Sequence, residues 1–152
     1  MSSVPISSPD LTQRPPRSPR LRLGGFVILP RLLDKGRAKL AGKNGEYIFN
    51  SGLDKRFFAF VKVEAEALLA QLAEGKGDGD ILAWITQNAA HKPADWEIAQ
   101  WSALQEARSA TTVKAREHYA KELATLAPHR ADIATGFDFL ELDDYVSFGG
   151  KP

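Results

Sequence analysis

Charge is sorted along this chain, and the sorting constrains the fold more than any other feature. Residues 1–43 carry nine Lys or Arg against two acids, a net +7, while the rest carries eleven bases against seventeen acids, a net −6. The formal total of +1 conceals this dipolar arrangement. A basic arm of this kind either seeks an anionic partner or folds back on its own acidic body. The acids are densest near the C-terminus. Residues 132–148 hold Asp132, Asp138, Glu141, Asp143 and Asp144 and no base, interleaved with Phe137, Phe139, Leu140, Leu142, Tyr145, Val146 and Phe148. So many large apolar groups argue for an extended arm docked on the body rather than a free acidic tail.

A chain of 152 residues with 43% hydrophobic content is large enough for one domain with a real core. The absence of cysteine excludes a disulfide scaffold, cysteine-ligated zinc, an iron–sulfur centre and thiol catalysis. No apolar run reaches the length of a membrane span. The first twenty residues hold five of the nine prolines, with Ser and Arg filling much of the rest. The expected organisation is therefore a disordered Pro/Arg-rich tail over 1–20, a single helical domain over 21–148 and a flexible end over 149–152. No apolar signal core follows Met1, so a cytoplasmic protein is expected.

Periodicity gives the fold class: mainly α, a compact bundle of five or six short helices between Pro30 and Leu126, with the extended acidic-aromatic arm beyond. Gly24-Gly25 permits a turn, and Pro30 suits a first helical turn. Leu29, Leu32, Leu33, Gly36 and Leu40 then make one stripe. Asp54 is placed as the cap of a helix through Val61, and Val61, Ala65, Leu68 and Leu72 share a face that would let this helix run on to Glu74. Asp80 caps a helix to Asn88, Pro93 opens one to about Ser109, and Thr111 or Thr112 starts one to Leu126. The predicted core is Phe57, Val61, Leu68, Leu72, Ile81, Trp84, Ile85, Trp101, Leu104, Leu123 and Leu126.

One run is distinctive. Gly24-Gly25-x-x-x-Leu29-Pro30-Arg31-x-x-Asp34-Lys35-x-Arg37, continued by Tyr47, Leu53-Asp54, Phe57 and the Gly/Asp-rich loop before Trp84, resembles an uncharacterised family, domain of unknown function 5069. The resemblance covers Pro19 to Trp101 and extends more loosely to Phe137–Asp144. It implies a small, mainly helical cytoplasmic domain and brings no activity with it.

Several chemistries are excluded by spacing. His91, His118 and His129 match no helical metal pair and no zinc signature. Gly75-x-Gly77-x-Gly79 lacks both the Walker pattern and a preceding strand, and Asp78 and Asp80 would repel phosphate. Asp138, Glu141, Asp143 and Asp144 fail the EF-hand grid. Trp84 and Trp101 fall in apolar stripes, leaving Trp96 as the exposed aromatic. No metal and no cofactor is implied.

The best constellation is Arg31, Asp34, Lys35 and Arg37. On a helix, Asp34 lies three residues from each arginine and would orient both, making an anion clamp for a carboxylate or phosphate. The competing reading is an intrachain network in which the acidic C-terminal arm answers the positive charge. Two functions follow. One is a non-catalytic binding or adaptor module with a protein partner. The other is a small enzyme or ligand-binding protein that clamps an anionic small molecule through these four residues, with Asp54 as base. Weak, salt-dependent nucleic-acid binding through the basic tail is a third expectation.

Overall fold

A computed structural model describes residues 7–152. A two-stranded antiparallel ribbon, β1 (Arg22–Leu23) and β2 (Phe26–Val27), precedes seven helices. These are α1 (Leu29–Leu40), α2 (Gly52–Val61), α3 (Ala65–Ala73), α4 (Asp78–Asn88), α5 (Asp95–Ala107), α6 (Val113–Leu126) and α7 (Gly136–Ser147). Arg22 pairs with Val27 and Leu23 with Phe26. The turn between them needs positive φ at both central positions, which Gly24 (59°) and Gly25 (85°) supply without steric cost.

α1 is the centre of the molecule, with nine of its twelve residues buried. Leu29, Leu32 and Leu33 pack with Phe26, Phe57, Val61, Leu68, Leu72, Ile81 and Ile85 in the main core. Gly36 allows the closest approach. A Cβ there would lie 2.6 Å from Leu72 Cδ1 and 3.2 Å from Phe49 Cε2. Its low helix propensity is thus offset by the packing of α3 and the Phe49 ring against α1.

Of the predicted core, Phe57, Val61, Leu68, Leu72, Ile81 and Ile85 are buried. Trp84, Trp101, Leu123 and Leu126 are half-buried. Trp101 stacks on Phe60 with ring centroids 5.1 Å apart. Leu104 is a correction: it is 58% exposed. α5 turns Ser102 and Gln105 inward instead. Ser102 Oγ accepts from Val27 N at 3.2 Å and donates to the Gly25 carbonyl at 2.7 Å. A polar face thus satisfies the ribbon backbone that a leucine would leave unpaired.

Four further expectations are corrected. There are seven helices among the described residues, rather than five or six, because the segment expected as an extended arm folds as α7. Thr135 Oγ1 accepts from Asp138 N, and the Asp138 carboxylate accepts from Thr135 N, which closes a capping box. The stripe from Val61 to Leu72 does not form one helix, since Lys62 takes a left-handed conformation (φ 54°) and separates α2 from α3. Ser51 rather than Asp54 is the N-cap of α2, and Asp54 is its box partner.

The proposed tail is the fourth correction. Residues 1–6 lie outside the described residues. From Pro9 onward the segment is packed on the body. Leu11 is 2% exposed and its N–H donates to the Lys43 carbonyl at 2.9 Å. Arg17 and Arg20 reach acids on α1, α4 and α7. The prolines set an extended path along a surface that supplies both apolar contacts and counter-charges.

Candidate functional site

Helical geometry divides the predicted four-residue clamp between two sides of α1. Arg31 and Lys35, four residues apart, lie about 40° from one another around the axis. Asp34 and Arg37 lie on another side. Both faces are covered, so each charge has found a partner elsewhere in the chain.

On the first side, Arg31 (3% exposed) is held by Asp144 of α7. Nη1 donates to Oδ2 at 2.7 Å and Nη2 to Oδ1 at 3.2 Å. The Tyr47 hydroxyl donates to the same Oδ1 at 2.7 Å, and its ring lies 5.5 Å from the Arg31 guanidinium carbon. Burial and the hydrogen bond to Asp144 push the Tyr47 phenol well above its ordinary value, so it stays a donor. One turn on, Lys35 Nζ lies 2.8 Å from Asp54 Oδ2 and donates to Ser51 Oγ at 3.2 Å. Lys35 is 4% exposed and Asp54 fully buried. Burial lowers the Lys35 ammonium from its ordinary value, and the neighbouring Asp54 offsets this only in part. Asp54 Oδ1 is buried without a hydrogen-bond partner among the described residues.

On the second side, Asp34 accepts from Arg17 through its backbone N–H (2.9 Å), Nε and Nη2. Arg37 instead donates to Asp78 Oδ1 at 2.8 Å and to the Lys76 carbonyl at 3.2 Å. Arg17 also reaches Asp78, and its hydrogen bond is the first cause of the lowered Asp78 carboxyl. Asp34 therefore orients Arg17, a residue of the expected tail, rather than Arg31 and Arg37.

Both sides border cavities, and the one on the first side is larger than the cavity of about 350 Å³ beside Asp34 and Arg37. A cleft of about 660 Å³ is walled by α1, the Gly45–Leu53 segment and α7. Arg31, Lys35 and Ser51 line it beside apolar Leu11, Ile48, Leu53, Leu140 and Phe148. Glu46 and Asp143 line it as well. Partial burial and the neighbouring Asp144 raise the Asp143 carboxyl above its ordinary value.

The clamp expectation had Asp34 orient Arg31 and Arg37 and left Lys35 free; Arg31 instead meets Asp144, as in the competing expectation that the acidic C-terminal segment answers the charge, while Tyr47 and Ser51 were not foreseen as neighbours of the site. Part of the signal was present. The Thr135-x-x-Asp138 box marks a helix start, and from there Leu140, Asp143 and Ser147 fall on one face.

Among the described residues, no group of three His, Asp or Glu side chains could hold a metal ion. No helix among them is long and apolar enough to cross a membrane. No curated protein matches the chain. A family model described as a domain of unknown function, DUF5069, matches residues 13–146, a span that takes in Arg17, the whole of α1 and the Asp143–Asp144 pair, and the chain belongs to that family.

Proposed function

We propose that this chain is a small-molecule-binding module, and that its cleft between α1 and α7 takes a small amphipathic carboxylate. The volume lies in the range of about 300–1,000 Å³ found for ligand pockets, and the lining sets large apolar side chains beside charged and hydroxyl groups, which suits an amphipathic ligand.

The observation that carries this reading is the state of Lys35. An ammonium has three donors. Asp54 and Ser51 occupy two of them, and Lys35 lines the cleft. Burial disfavours its charge more than Asp54 restores it. A ligand carboxylate at that point supplies a third acceptor and adds to the counter-charge of Asp54. Arg31 plays a different part. It is already paired with Asp144, so it gives the cleft a rigid floor rather than a free charge. The anion clamp is thereby reduced to Lys35 with Ser51, supported by Arg31. Asp34 and Arg37 belong to the Arg17–Asp78 network on the other side.

The test is a pair of nuclear magnetic resonance titrations with hexanoate and 1-hexanol, which share an apolar chain. Hexanoate is expected to shift the amide signals of Lys35, Tyr47, Leu53 and Leu140 at concentrations where hexanol does not. Equal shifts from both probes, or shifts elsewhere, would refute the carboxylate reading.

A further inference from the structure

Resting on that reading of the cleft, we infer that its ligand is a zwitterion of the amino-acid class, with its carboxylate at Lys35 and its ammonium at Asp143. The cleft holds two charges of opposite sign that the protein leaves incompletely answered. Lys35 is one, with a donor to spare. Asp143 is the other. It lines the same cavity and makes no ion pair or hydrogen bond among the described residues, whereas its neighbour Asp144 is fully engaged by Arg31 and Tyr47.

The surroundings of Asp143 strengthen the case. Burial of its carboxyl, then Asp144, Glu122 and Glu46, raise it, and Arg31 opposes them. Arg31 and Asp144 offset one another as a pair 2.7 Å apart, which leaves Glu122 and Glu46 as the like charges acting on Asp143. A cation entering beside Asp143 therefore meets a negative field, while a simple carboxylate meets repulsion from the same group. A molecule with both charges satisfies Lys35 and Asp143 together. Its apolar part then lies against Leu53, Leu140 and Phe148.

Four probes with one six-carbon chain separate the possibilities: hexanoate, L-norleucine, 6-aminohexanoate and hexylamine, titrated calorimetrically into the wild-type chain and Asp143→Asn. The two zwitterions are isomers, with the ammonium on C2 beside a free butyl chain in one and on C6 at the chain end in the other. At least one is expected to bind about tenfold more tightly than hexanoate, the size of one added charge-assisted hydrogen bond. Asp143→Asn should remove that advantage and, by lifting the repulsion on a simple carboxylate, tighten hexanoate rather than weaken it. Asp143 is exposed and makes no intrachain ion pair among the described residues, so this variant folds. Hexanoate binding as tightly as both zwitterions would overturn the inference and leave the carboxylate reading standing. Hexylamine binding as tightly as the zwitterions while hexanoate fails would overturn the carboxylate reading as well, as would binding by none of the four. An advantage that survives in Asp143→Asn would overturn the assignment of the ammonium to Asp143.

Discussion

Arg31→Met tests the buried pair that joins the two ends of the chain. Arg31 and Asp144 are 3% and 7% exposed, so neither charge is left to solvent. Asp144 accepts three hydrogen bonds, two from Arg31 and one from Tyr47. Removing Arg31 leaves a buried carboxylate with the Tyr47 hydroxyl alone. Breaking a buried pair from one side costs about 3–5 kcal/mol, because the remaining charge keeps its desolvation penalty without its partner. For a chain of this size that lowers Tm by about 10–15 °C. Methionine keeps helix propensity and much of the volume, so α1 itself is not the cause. The double variant Arg31→Met/Asp144→Leu removes both charges and should recover most of the loss, since apolar replacement of a buried pair is often neutral. Urea denaturation of the two variants reads both numbers. A loss below about 1 kcal/mol in Arg31→Met, or a double variant no better than the single, would refute the argument that the pair is buried and mutually dependent.

Leu11→Ala should cost about 2–4 kcal/mol by urea denaturation, since Leu11 is 2% exposed, and deletion of residues 1–20 should destabilise the domain strongly; an unchanged Tm on deletion would restore the free-tail expectation. Gly36→Ala gains about 1 kcal/mol of helix propensity but forces a methyl to within 2.6 Å of Leu72, so a net loss of about 1 kcal/mol is expected, and net stabilisation would show that α3 yields easily. The Asp78 carboxyl is lowered from 3.8 chiefly by the Arg17 hydrogen bond, with Arg37 adding to it against the opposing effect of burial. Its folded value lies below its unfolded one, so its contribution is present above about pH 4 and is lost as the pH falls through the lowered value. The urea midpoints of wild type and Asp78→Asn should therefore converge below about pH 4, and a constant gap down to pH 2 would contradict the linkage.

Helix positions were legible wherever local chemistry set them. Pro30 at the start of α1, Thr112 at the cap of α6 and the Gly24-Gly25 turn each depend on one or two residues and their backbone demands. What sequence could not give was rotation and partnership. The apolar stripe of α5 favoured Leu104, but the unpaired N–H of Val27 and carbonyl of Gly25 draw Ser102 inward, and that demand arises about 75 residues earlier in the chain. The Arg17–Asp34 and Arg31–Asp144 pairs span 17 and 113 positions, and no local spacing rule reaches that far. The charge asymmetry did carry the general answer, in that the basic N-terminal segment folds back on acidic groups of the body.

The clamp motif owes its division to the central place of α1. A surface helix keeps a polar face in water, whereas α1 is covered over most of its length by the ribbon, α2, α3, the N-terminal segment and α7, with Lys39 left exposed near its end. Charges on such a helix are tolerable only when each meets a partner. Asp34 is reached by Arg17, Arg37 by Asp78, Arg31 by Asp144 and Lys35 by Asp54. These partners come from before the ribbon, from α4, from α7 and from α2, so the charges act as registration points for segments far apart in sequence. The Asp34–Arg17 and Arg37–Asp78 pairs lie away from the cleft, and Arg31, which lines it, gives both terminal nitrogens to Asp144. Lys35 differs because it combines burial, an unspent donor and access to the cleft. Its neighbour Asp54 underlines the point, since Oδ1 has no partner among the described residues and a purely structural pair gains nothing from such an oxygen. The same asymmetry holds on the opposite wall, where Asp144 is saturated and Asp143 is not. One helix and one wall thus each present a charge fully engaged within the chain beside one with bonding capacity to spare, and those two, Lys35 and Asp143, share the cleft.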